Sequence, residues 1–138
     1  MKKHLKRSVA AAAALALILS LAACGGGITA DSATDLIQGN LDELYLGKFD
    51  PDYLELVDIT ENEAEETYLD GLSVEAEYFT NYFGIEYVTD ELEADIIDLY
   101  KDIYAQSKYT VNPATKIDES TFGVKVVVEP LDIFSLVD

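Results

Sequence analysis

Carboxylates are the groups in this chain most able to do chemistry: 27 of its 138 residues are Asp or Glu, against nine Lys plus Arg. Two stretches concentrate them, Glu61 to Glu66 and Asp90 to Asp102. Gathered oxygens could hold Ca²⁺, which takes several of them at about 2.3–2.6 Å. At helical spacing these side chains fan over separate faces, and no loop collects them, so they read as solvated helix surface. Asp118, Ser120, Gly123 and Glu129 match four positions of an EF-hand loop. Phe122 and Lys125 break that motif, and 122–129 alternates as a strand. Two carboxylates roughly 5–10 Å apart could hydrolyse a glycosidic bond. Among 27 acids such pairs arise by chance, so the sequence assigns no catalytic residue and no metal ligand.

Tyrosine is the second candidate chemistry, with nine in the chain. Tyr78, Tyr82, Tyr100 and Tyr104 recur at helical spacing. Such rings could line a groove for peptide or sugar, because tyrosine offers flat area with a polar tip. The plainer reading sets them at the rim of a small core with their hydroxyls in water.

The sole cysteine, Cys24, closes an apolar run and precedes Gly25-Gly26-Gly27. Lys2, Lys3, Lys6 and Arg7 open the chain without an acid, and Val9 to Leu21 is apolar except for Ser20. A basic start, a short apolar run and small residues at a cut describe a secretory signal peptide. At about 1.5 Å per residue this run reaches roughly 20 Å as a helix, short of a bilayer core of about 30 Å. Leu21, Ala22, Ala23 and Cys24 resemble the lipobox of bacterial lipoproteins. That resemblance implies a diacylglyceryl group on the Cys24 sulfur and a cut by signal peptidase II between Ala23 and Cys24. Two acyl chains suffice for stable anchoring. The expected organisation is a leader, 1–23; a lipidated, Gly-rich tether, 24–30; and an acidic domain, 31–138.

Removing 1–23 takes four cations and no acid, leaving 27 acids against five lysines, a net charge of −22. His4 and Arg7, the only histidine and arginine, leave too, and there is no tryptophan. The mature chain then lacks the groups for Ser–His–Asp or Cys–His catalysis, for Cys/His zinc sites and for arginine clamps on phosphate. Nucleic acid would be repelled. No cofactor is implied. Cationic and neutral partners remain compatible.

The elements that must position these residues follow from periodicity. Ser32 with Asp35 suggests a capping-box-like start to a helix running to Lys48, with Ile37, Leu41 and Leu44 on one face. Gly39 should weaken its middle by about 1 kcal/mol relative to alanine. Asp50-Pro51 caps a short helix through Val57. Thr60 and Glu63 form a capping box before a long helix in which Ala64, Tyr68, Leu72, Ala76, Phe79 and Phe83 mark the apolar stripe and Gly84 the stop. Gly71 within it marks a bend or a close packing point. Thr89 or Asp90 caps a further helix striped by Leu92, Ile96, Leu99 and Ile103. The period then changes to two, and 108–129 reads as a β-hairpin ending in the alternation of Phe122, Val124, Val126 and Val128. Leu131 to Asp138 is apolar enough to begin another element.

The fold class is therefore α+β: three or four helices followed by an antiparallel β-hairpin, an incomplete layer that suggests a chain shortened relative to a larger protein. Three stretches resemble a group of lipoproteins of unknown function from Gram-positive gut bacteria. They are the opening from Asp31-Ser32-Ala33, Tyr68-Leu69-Asp70-Gly71 through Tyr82-Phe83, and Leu99 to Tyr104 through Lys108-Tyr109. The resemblance implies a surface-anchored domain, carries no catalytic motif, and includes members that continue past the point matching Val137. The expected function is a non-enzymatic extracellular module, held to the membrane by Cys24 and binding a protein, peptide or neutral ligand. The alternatives are a structural part of a longer lipoprotein and a carboxylate-dependent hydrolase.

Overall fold

A computed structural model describes residues 13–20 and 27–131. Leu21, Ala22, Ala23 and Cys24 lie outside the described residues, as does 132–138.

Thr29 opens the first helix, α1 (Ala30–Leu41), by accepting the Ser32 N–H at 3.1 Å. Ser32, expected as the cap, is thus the capped residue, since Thr29 already offers an oxygen one turn earlier. The expected single helix to Lys48 changes at Asp42. There the backbone widens into a π-helical turn, Asp42–Leu46, which ends at Gly47 with φ +57°. The turn carries Glu43 inward, 4% exposed, where it accepts the Tyr53 hydroxyl at 2.7 Å. Asp50 caps α2 (Pro51–Val57) through the N–H groups of Asp52 and Tyr53.

Both halves of the Thr60/Glu63 capping box are formed at the start of α3 (Glu61–Tyr82). Its buried residues are Ala64, Leu72, Ala76 and Thr80. The stripe thus passes to Thr80 near the C-terminal end and leaves Phe83 uncovered. Gly71 was expected to mark a bend or tight packing. It lies instead in unbroken helix, exposed, with nothing within 4 Å of where a Cβ would stand. Gly84, at φ +64°, turns the chain out of α3. Thr89 caps α4 (Asp90–Tyr104), of whose stripe Ile96 alone is fully buried.

The sheet is antiparallel. Strand β4 (Thr121–Glu129) pairs on one edge with β2 (Lys108–Val111), Lys108 opposite Glu129, and with β3 (Thr115–Lys116). Its other edge holds β1 (Ala13–Ser20), Ala13 opposite Val128 and Ser20 opposite Thr121. Residues 13–20 belong to the apolar run expected to leave with the leader. In the uncut chain they form an edge strand. Phe122, Val124 and Val126 alternate into the core, where Val124 and Val126 meet Ile37 of α1. Tyr53, Leu54 and Ala64 form a second cluster joining α2 to α3. The architecture is α+β, four helices with an antiparallel sheet, and no helix among the described residues is long and apolar enough to cross a membrane.

Candidate functional site

The last turns of α3 carry aromatic residues at 78, 79, 82 and 83. At about 100° per residue these span a face roughly 140° wide, more than one helical stripe can bury. Phe79 packs inward against Tyr100 of α4, ring centroids 6.4 Å apart and nearly perpendicular. Tyr78, Tyr82 and Phe83 stay in water, 68%, 85% and 62% exposed. Phe83 lies 4.7 Å from Phe79 and 5.1 Å edge-on from Tyr82. With Asn81 these five rings line an open cleft of about 550 Å³. Its polar groups are one amide and three phenols, and no lining residue is charged. Stacked faces with a few hydroxyl and amide partners suit a sugar ring or an extended peptide. The faces also attract cations, and the exposed Glu77 beside Tyr78 adds a negative field.

Of the four tyrosines singled out by spacing, Tyr78, Tyr82 and Tyr100 line this cleft and Tyr104 does not. Tyr104 is half-buried and donates its hydroxyl to Glu75 Oε1 at 3.0 Å. Burial, then the Glu75 carboxylate, pushes its phenol up to about 12. Tyr104 still touches the cleft indirectly. Its ring lies 5.8 Å from Tyr100 and 5.5 Å from Tyr45, which in turn is 6.3 Å from Tyr109. Rings thus run without a break from Tyr82 at the tip of α3 to Tyr109 on β2. Burial also raises the Tyr109 phenol, which donates to Asp42. Both groups therefore remain donors across the neutral range and fix their rings.

Spacing placed Phe79 and Phe83 in the apolar stripe rather than in a cleft, and it singled out neither Asn81, Tyr45 nor Tyr109 as site residues. Four aromatics within 78–83 were a usable signal for Phe79 and Phe83. Nothing in the sequence joins Tyr45 to Tyr109, which only the fold brings together.

The other candidates are placed as follows. The acids of 61–66 and 90–102 are exposed on α3 and α4 except Glu93, which is half-buried, and no group of three or more metal-ligating side chains gathers among the described residues. Asp118, which begins the EF-hand-like spacing, accepts from the Ser120 N–H in a local turn. That bond, first among its causes, draws its carboxyl below the usual range. Glu77 and Glu93 both line a separate cavity of about 350 Å³ with Ser73, Ala76, Thr80 and Val88. No protein-family model matches the chain, and no curated protein or solved structure matches it.

Proposed function

We propose that this chain is the precursor of a lipid-anchored surface protein whose mature domain is a non-enzymatic module that binds a neutral or cationic peptide or sugar in the aromatic cleft. Acylation of Cys24 and loss of 1–23 would place that domain on the outer face of the cytoplasmic membrane. The lipobox-like run Leu21 to Cys24 and the resemblance to Gram-positive lipoproteins support this placement. The observation that carries the binding reading is the exposure of Tyr78, Tyr82 and Phe83 beside a packed Phe79 and Tyr100. Large aromatic faces left in water at one spot, without a fold to stabilise, are what an interface requires.

Two measurements test this. Mass spectrometry of the protein recovered from cells should find an N-terminus at Cys24 carrying diacylglycerol; an intact leader or a free thiol there would remove the anchor. Binding to a panel of glycans and basic peptides, with and without Ca²⁺, should be weakened at least about tenfold by Tyr82→Ala, or ~1.4 kcal/mol. Tyr104→Phe should leave it unchanged. Equal binding by wild type and Tyr82→Ala would refute the cleft. Hydrolysis is the second reading, favoured by Glu77 and Glu93 sharing one cavity. Glycan turnover abolished by Glu93→Gln would support it over simple binding.

A further inference from the structure

The chain turns out of α3 at Gly84 and comes back to bring Val88 and Glu93 to a cavity that Ser73, Glu77 and Thr80 line from α3. It measures about 350 Å³, within the range of small-molecule sites. Its apolar wall is Val74 and Val88, 50% and 44% exposed, together with the buried Ala76. Its polar side chains are nearly all acceptors. Glu77 and Glu93 bring two carboxylates, and the Thr80 hydroxyl donates its proton to the Glu77 backbone carbonyl at 3.0 Å. Ser73 holds the one remaining side-chain donor. Lys101 and Asp98 form the one ion pair among the described residues, so neither carboxylate of the cavity is matched by a cation there.

Acceptors in excess beside an apolar wall define their own complement. We propose that this cavity binds a primary alkylammonium group, with its carbon stem along Val74 and Val88 and its nitrogen at Glu77 and Glu93. An ammonium carries three donors and no acceptor, which matches two carboxylates and the Thr80 oxygen. An anion would be repelled by both glutamates. A sugar hydroxyl both donates and accepts, and would find almost no donor to accept from. A divalent cation would gain nothing from valine, and no third metal-ligating side chain gathers with the two acids among the described residues. Glu93 is half-buried, where water screens a charge pair less than it does at the open surface. The net charge of −18 draws cations toward the molecule as a whole. The site stands apart from the aromatic cleft, with which it shares no lining residue. It gives the two glutamates a ligand where the hydrolytic reading gives them a reaction. A free aliphatic amine and the lysine side chain of a peptide both present this group.

NMR titration of the full chain, with valine methyls labelled and about 0.15 M NaCl to screen diffuse attraction, tests it. The probes are n-pentylamine, n-pentanol and Nα-acetyl-lysine methylamide. Pentylamine should shift the Val74 and Val88 methyl signals saturably, and its uncharged counterpart pentanol should bind at least about tenfold more weakly. Glu93→Gln should weaken the amine at least about tenfold, with an unchanged melting temperature showing that the fold is kept. Glu65→Gln, exposed elsewhere on α3, should leave binding as it was. Val74→Lys, at an exposed helical position, supplies a tethered ammonium and should block the added amine, read at the Val88 methyls. Tyr82→Ala should have no effect, so failure of the aromatic cleft and failure of this site are told apart. Acetyl-lysine methylamide binding as tightly as pentylamine would assign the cavity to peptide lysines, and pentylamine binding alone would assign it to free amines. Pentanol binding as tightly as pentylamine, equal affinities in Glu65→Gln and Glu93→Gln, or valine methyls that do not move would each overturn the proposal.

Discussion

Gly39 shows how a residue's environment reverses its local propensity. In isolation a mid-helix glycine costs stability, and alanine should improve it by about 1 kcal/mol. In the folded chain a Cβ at Gly39 would stand 2.2 Å from Tyr53 Cγ. That is inside the ring's contact distance, and the ring cannot swing away, because its hydroxyl is held by Glu43. Gly71 is the control: it lies mid-helix in α3 with open space around it. Gly39→Ala should therefore destabilise by about 2 kcal/mol, while Gly71→Ala stabilises by about 1 kcal/mol. Urea unfolding of the two variants checks both signs. Two changes of the same sign would show that the Tyr53 contact does not govern position 39.

At the scale of elements, β4 is the strand on which the sheet depends. It lies between β1 and β2, and its buried Phe122, Val124 and Val126 supply the sheet's share of the core. Its pairing with β1 spans eight residues that the leader reading assigns to a discarded segment. Cutting before Cys24 would free that whole edge. An open edge invites another strand, and natural sheets blunt such edges with charge and poor strand formers. Lys125, exposed on β4, is one charge available there. If Cys24 is acylated as proposed, the Cys24→Ala variant should keep the leader. Its β4 amides facing β1 should then exchange with solvent at least about tenfold more slowly than those of the cut protein, while amides bonded to β2 match. Equal rates on both edges would mean that 13–20 does not hold β4 in the uncut chain.

At the scale of the molecule the dominant fact is charge. Lys101 and Asp98 form the one ion pair among the described residues, at 3.2 Å on the surface. Most carboxylates therefore meet other carboxylates across water, and their mutual repulsion opposes the compact state. Screening it should help: raising NaCl from about 10 mM to 0.5 M shortens the Debye length from roughly 30 Å to under 10 Å. The melting temperature should rise by several degrees over that range. A fall would mean that attractive pairs outweigh the repulsion. The same negative field attracts cations and repels polyanions.

The helices were legible in the sequence because their signals are local. Thr60 with Glu63, Asp50 with Pro51 and the apolar stripe of 92–103 each lie within a few turns of backbone, and the alternation of 122–128 did the same for β4. The helical rise also singled out Tyr78 and Tyr82. Local rules failed where a distant side chain decided the outcome. The π turn at Asp42 exists where Glu43 meets Tyr53. Tyr104 left the cleft for Glu75, 29 residues away, and Tyr45 met Tyr109 only when β2 came up beside α1. Periodicity states which face of a helix is apolar. Which part of that face is then covered depends on the neighbour's length and angle, and α4 leaves Tyr82 and Phe83 in water while α1 stops short of Val128. The first of these shortfalls in cover, set by packing between α3 and α4, left open the aromatic cleft on which the binding reading rests.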